Sequence, residues 1–306
     1  MRPNQTIQIA VVQPPSVLRT SLALTLDVLE TANRIAMAGG RPAPFAVILL
    51  STGDALPRGT AALILPGTGA SSWEELSESL ASEQGQATVA LLQTAARRGV
   101  LVATSCSGVG FAAASGVLDG KRCTTSWFLA SALRRSFPAV TVLADCLVVE
   151  ADGVITAGAA LAHADLMLHL VERLSGTGLA DLCARYLLLD RRASQRPYLL
   201  LGAMLAGEPR LASAEAFVRA NLAERFTIRA LAAAVGMGER SFARLVDETC
   251  GCSPIRLVQR IRVNAASAMM QEGLSLDAIA PRVGYADATA LRRVMRQVRG
   301  AAPRRR

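Results

Sequence analysis

The chain has 306 residues, of which 51% are hydrophobic, 19% charged and only 4% aromatic. That length and apolar content suit two globular domains and exclude a disordered chain; the cores have to be built from Ala, Val, Leu and Ile. Residues 1–190 hold 13 basic and 15 acidic side chains, a net of −2, whereas residues 191–306 hold 20 and 9, a net of +11. One end is suited to lie beside a polyanion and the other is not.

The opening MRPNQTIQIAVVQPP has no sustained apolar run or small-residue cleavage site, and reads as a strand rather than a signal peptide. No stretch reaches the roughly 18 apolar residues of a membrane span, so a cytoplasmic protein with no membrane partner is expected. The six cysteines form no CxxC pair, and Cys250 and Cys252 have no histidine nearby. Neither a zinc site, a disulfide framework nor a cofactor is expected.

Strands are predicted at Ile7–Val12, Phe45–Leu50, Ala61–Leu65, Val100–Thr104, Val140–Leu143 and Val154–Thr156. Helices are predicted at Leu18–Met37, Gln86–Arg98, Gly108–Ser115, Phe128–Ser136, Ala162–Leu174 and Gly178–Leu189. Nearly continuous apolar strands separated by helices imply an α/β doubly wound parallel sheet covered on both faces. Its ligand site should lie at the carboxyl ends of the strands.

Within it, Val100–Thr104 runs through Ser105 and Cys106 into a helix, the geometry of a nucleophile elbow in which the helix amides favour a thiolate. This segment, with Leu65-Pro-Gly-Thr-Gly69, Ala114-Ser-Gly-Val-Leu-Asp-Gly-Lys-Arg-Cys-Thr-Thr-Ser-Trp127, Arg135-Ser-Phe-Pro-Ala-Val140 and Gly158-Ala-Ala-Leu-Ala-His-Ala-Asp165, resembles the PfpI-like branch of the class I glutamine-amidotransferase-like superfamily. Relatives that keep a catalytic histidine place it in a Thr-Thr-His-Trp-like segment, and here that position is Ser126. Of the two histidines, His169 reads as a core or surface residue and His163 is the candidate base. Three readings of Cys106 stay open: a nucleophile served by His163, a vestigial elbow thiol in a pocket that binds rather than reacts, or a redox sensor. Thr68, Cys106, Ser107, Ser126 and Trp127 are the candidate ligand-binding residues. Core packing is an equal reading for Trp127 and for Trp73.

The Gly178–Leu189 helix closes this domain at residue 190; the polar stretch Asp190 to Tyr198 marks the boundary, and residues 191–212 are expected as a linker, with 199–212 read either as linker or as a short first helix. The remainder, 213–306, reads as all-α. Thr227–Leu245 (TIRALAAAVGMGERSFARL) and Ser275–Val294 (SLDAIAPRVGYADATALRRV) are a diverged repeat. Each unit has a hydroxyl cap, a short helix, a Val-Gly turn and a second helix, and so forms a helix-turn-helix. Phe242, Leu245, Leu291 and Val294 should face inward. Ser253-Pro254 caps a spacer helix of about 18 residues ending at Glu272.

The LAAAVGM turn, Thr249–Pro254, Gln259-Arg-Ile-Arg262, Ile279–Asp287 and Gly300-Ala-Ala-Pro303 together resemble the AraC family of transcription regulators. Leu291 and Met295 replace the family's usual phenylalanines, so a less well packed last helix is expected. Arg240, Ser241, Arg244, Thr289, Arg292, Arg293 and Arg296 are the candidate DNA-binding residues, on the outer side of each second helix. A solvated basic face is the plainer reading of such charge.

Together the two resemblances imply a homodimeric, sequence-specific regulator, an activator on family grounds, controlled by a small amino-acid-derived or nitrogenous effector. Double-stranded promoter DNA and RNA polymerase are its implied partners. The rival readings are a cysteine-dependent hydrolase or amidase with an appended basic domain, and an architectural DNA binder.

Overall fold

The computed structural model describes residues 6–14, 16–190, 192, 208–250 and 252–299. The chain divides into two compact units, residues 1–195 and 196–306. In the first unit, strands β1 (Ile7–Gln13), β2 (Phe45–Ser51), β3 (Thr60–Leu65), β4 (Leu101–Ser105), β7 (Val148–Ala151) and β8 (Val154–Ala157) form one sheet in the order β2-β1-β3-β4-β8-β7. Between them run α1 (Arg19–Ala38), α2 (Trp73–Ala81), α3 (Glu83–Arg97), α4 (Gly108–Ala114), α5 (Trp127–Ser136), α6 (Ala162–Ser175) and α7 (Thr177–Tyr186).

The alternation of side chains explains the apolar strands. Ile9 and Val11 of β1, and Ala62 and Ile64 of β3, face a core shared with α1, α6 and α7. Their neighbours Ala10, Val12, Leu63 and Leu65 face a second core, shared with α2 to α5. Both faces are covered, so no polar alternation is needed.

The sheet is the expected parallel-dominated one, with one edge strand added and one expected strand corrected. Five strands are parallel, but β7 joins β8 as an antiparallel edge. A two-residue Asp152-Gly153 turn with both φ positive, at 41° and 79°, makes that hairpin. The segment Val140–Leu143 does not enter the main sheet. Only Thr141–Val142 (β6) is extended, paired in parallel with Arg122–Cys123 (β5). Helix α2 was not predicted; Ser72 caps it by accepting the Glu75 amide at 3.2 Å, and the Glu75 carboxylate accepts the Ser71 amide and hydroxyl.

The second unit is helical among its described residues: α8 (Pro209–Ala220), α9 (Ile228–Ala234), α10 (Glu239–Cys250), α11 (Pro254–Gln271), α12 (Leu276–Arg282) and α13 (Ala288–Arg299). Helix α8 begins inside the stretch expected as a linker; residues 191 and 193–207 of that stretch lie outside the described residues. Ser253 caps α11 with Pro254 as its first residue, and α11 packs against α8, α10, α12 and α13. Leu291 and Met295 are buried beside Val263, Ile279 and Val283, so the last helix is anchored without the phenylalanines.

Candidate functional site

Strand β4 ends at Ser105, and Cys106 follows with φ at 55°, a left-handed backbone that a cysteine rarely adopts. Its amide donates to the Ala157 and Gly158 carbonyls at 3.1 and 3.0 Å, which fixes the turn to β8. The loop after β3 lies directly on this elbow. A Cβ on Gly67 would stand 3.2 Å from the Cys106 Cβ, and one on Gly108 would stand 2.5 Å from Thr104 Oγ1. Close approach rather than turn geometry calls for glycine at 108, and at 67 a side chain would fit only if Cys106 gave way by a few tenths of an ångström.

Four of the predicted ligand residues, Thr68, Cys106, Ser107 and Ser126, come together here. The Thr68 amide and hydroxyl both donate to Ser107 Oγ, at 2.9 and 3.0 Å. Ser126 Oγ lies 3.3 Å from Cys106 Sγ, and the Thr125 hydroxyl donates to the Cys106 carbonyl at 2.8 Å. Thr68, Cys106, Ser107 and Ser126 are buried, and Trp127 is half-buried with its ring edge-on to Phe128. Trp73 packs edge-on to Phe137 against the core. A cavity of about 360 Å³ borders Thr68, with Ser16, Gly69, Glu75 and Glu78 on its walls.

The pairing of Cys106 with His163 is overturned. Ser105 and Cys106 leave the strand toward opposite faces of the sheet, and His163 lies on the Ser105 side. Its Nδ1 is 2.8 Å from Ser105 Oγ and its Nε2 is 2.7 Å from Thr25 Oγ1. The Thr25 hydroxyl donates to the Ser21 carbonyl, so it accepts from Nε2–H, and Nδ1 accepts from Ser105. Complete burial pushes the imidazole pKa down to about 3. It is a neutral structural group, with both nitrogens occupied. His169 bonds Glu150 at 2.7 Å on the surface; burial would raise that carboxyl, but the bonds from His169 and Arg173 hold it below its usual range.

In the second unit the two repeats share their helix caps and turn hydrogen bonds. Thr227 and Ser275 each accept the amide three residues on. In the first turn Gly236 donates to Ala233 and Met237 to Ala232; in the second Gly284 donates to Pro281 and Tyr285 to Ala280. These are paired Schellman closures, with the glycines at φ 69° and 78°. The second helices, α10 and α13, bury Phe242, Val246 and Cys250, and Ala288, Leu291, Val294 and Met295. Leu245 is only half-buried; Val246, one helical turn past Phe242, takes the core position expected of it.

Arg240, Ser241 and Arg244 are exposed on α10, and Thr289, Arg292, Arg293 and Arg296 on α13. Arg244 has a loose 3.9 Å pair with Glu248, while the other four arginines make no ion pair among the described residues. Sequence reasoning missed Arg262 of α11. Its Nη2 donates to the Glu224 carbonyl at 2.6 Å and its guanidinium lies 5.4 Å from the Phe226 ring centroid. Only its place in the Gln259–Arg262 stretch marked it beforehand.

A DJ-1/PfpI domain followed by a tandem helix-turn-helix is what this architecture defines. Residues 8–173 match the DJ-1/PfpI family, and the chain belongs to it. Residues 231–305 match a helix-turn-helix domain, of the AraC type. The chain is 27% identical over 220 residues to the HTH-type transcriptional regulator GbdR of Pseudomonas aeruginosa, over 71% of this chain and 60% of that one. It is 26% identical over 217 residues to the HTH-type transcriptional regulator ArgR of the same species, over 70% of this chain and 66% of that one. The chain thus spans about 60% of the length of the first curated relatives it matches. A THiJ/PfpI family protein from Pseudomonas syringae shares the fold, with a TM-score of 0.51 and 18% identity over 77% of this chain and 93% of that one. No helix among the described residues is long and apolar enough to cross a membrane.

Proposed function

We propose that the chain is a sequence-specific transcription regulator, an activator that acts as a homodimer, whose DJ-1/PfpI domain binds a small metabolite and does not turn one over. The observation that carries the DNA-binding half is the row of exposed arginines on the second helix of each unit, directly after matched glycine turns; among the described residues all but the loosely paired Arg244 make no ion pair. Two such helices enter successive major grooves on one face of the duplex, about 34 Å apart. The relatives described as transcriptional regulators support the same reading.

Binding rather than turnover is supported by what surrounds the thiol. A cysteine hydrolase needs a base to take the thiol proton and return it to the leaving group. Cys106 faces a serine hydroxyl, and the buried imidazole is bound to Ser105 and Thr25.

The test is a genomic pull-down with the purified chain and sheared DNA from its source, at near-physiological salt. A few intergenic sites sharing elements about 10–10.5 bp apart are expected. Uniform, salt-sensitive binding without a motif would reduce the basic unit to electrostatics and sink the reading.

A further inference from the structure

Over the carboxyl ends of β1 and β2 the first unit opens a cleft of about 780 Å³, none of whose lining residues belongs to the Cys106 elbow. Its apolar wall is formed by Leu22, Ala23 and Leu26 of α1. Its polar residues come from three places in the chain: Gln13 at the end of β1 and Arg19 at the start of α1, Ser51 and Thr52 at and just past the end of β2, and Gln84 in the first turn of α3.

The side chains of Gln13, Arg19 and Gln84 make no hydrogen bond or ion pair among the described residues. Thr52 Oγ1 is shielded from solvent and has no hydrogen-bond partner among the described residues, so it lies behind the cleft surface rather than on it. The lining carries one guanidinium and no carboxylate, so the charge it lacks is negative. Forked N–H donors suit a carboxylate, and the α1 wall suits an uncharged hydrocarbon body.

We propose that this cleft binds a small carboxylate with an apolar body, its anionic head on Arg19 with the side-chain amides of Gln13 and Gln84 around it. As the effector seat it rests on the sensor reading above, so binding and DNA response are measured separately. A compound with a second, cationic group fits less well, because nothing in the lining answers a positive charge.

The experiment uses the full chain with sodium hexanoate and benzoate as probes, and hexanamide and hexylamine as controls. Both tryptophans lie in the first unit, so their fluorescence reports its melting. The carboxylates should raise the melting temperature and the controls should not. In Arg19→Ala the dissociation constant from calorimetry should rise roughly tenfold or more, the scale of a lost charge-assisted hydrogen bond. Ala23→Trp, on the exposed part of the wall, should block binding by filling the cleft. Carboxylates that bind no better than the neutral amide, or equally well to Arg19→Ala, overturn the proposal. Binding through Arg19 with unchanged promoter affinity upholds the cleft and removes its regulatory role. A DNA response to some metabolite that persists in Arg19→Ala overturns this seat and leaves the sensor reading standing.

Discussion

Ser105 donates its hydroxyl to His163 Nδ1 at 2.8 Å, and that bond holds the chain's buried imidazole away from the thiol at the very next position. With Thr25 on the other nitrogen, the ring stays neutral in the folded state down to about pH 3, whereas an unfolded chain protonates it near 6.5. The unfolded state therefore holds the extra proton between those values. The contribution is fully present above about pH 6.5 and is lost as pH falls toward 3, by up to about 1.4 kcal/mol per pH unit. Urea unfolding followed by tryptophan fluorescence at pH 7, 6 and 5 should show this slope, and His163→Gln should flatten it while lowering stability at pH 7. An unchanged slope in His163→Gln would mean the ring is not the titrating group.

The two glycine turns should respond differently to the same substitution. Gly236 and Gly284 both hold left-handed backbone, so alanine at either costs about 1–2 kcal/mol. Around Gly236 there is open space, whereas a Cβ on Gly284 would stand 2.7 Å from the Leu222 carbonyl oxygen and 2.8 Å from the Arg262 guanidinium carbon. Gly284→Ala is therefore expected to be the more damaging by at least about 1 kcal/mol. Hydrogen exchange of α9 and α10 in one variant, and of α12 and α13 in the other, measures each locally. Equal losses would refute the packing argument.

Much of this was legible in the sequence because local rules and tertiary demands agreed. Apolar strands without alternation required both sheet faces to be covered, and the Val-Gly repeat fixed the turns. The β7–β8 hairpin was missed although Asp152-Gly153 is a strong turn signal, because Val148–Ala151 is short and holds the charged Glu150. Helix α2 was likewise announced only by Ser72 and Glu75. The fate of His163 could not be read at all. It depends on which face of β4 Ser105 takes and on Thr25, 138 residues away in the chain. The Arg19 cleft gathers residues from β1, α1, the end of β2 and α3, and no spacing rule brings those together.

The candidate DNA contacts separate by what each loses. Arg244→Ala or Arg293→Ala should weaken binding to a pulled-down promoter by about 1–3 kcal/mol and relax preference at one base pair if that arginine forks onto a guanine. A phosphate contact would instead weaken all sequences alike and lower the salt slope by about one. Arg219→Ala serves as the control, since that side chain on α8 is already paired with Glu215 at 2.7 Å. Gel shifts at several salt concentrations against the site and its single-base variants read both quantities. No effect from either arginine would mean that α10 and α13 are not the helices in the grooves.

Arg262 should matter to DNA binding without touching DNA. From the spacer helix α11 it reaches the Glu224 carbonyl and the Phe226 ring ahead of the first helix-turn-helix, and its guanidinium also fills the space beside the Gly284 turn of the second. Burial and the nearby Tyr285 act on it in opposite directions, and burial prevails, lowering its pKa below the ordinary arginine value. One side chain thus links the approach to one unit with the turn of the other. Lysine keeps the charge but not the planar fork, so Arg262→Lys should cost about 1–3 kcal/mol in stability. Hydrogen exchange should speed up over 221–226 and at the Gly284 turn. Promoter affinity should fall while the salt dependence of binding stays as in the unaltered chain, because no phosphate contact has been removed. A salt slope reduced by about one would place Arg262 on the DNA backbone instead, and unchanged exchange at both segments would show that it does not hold them.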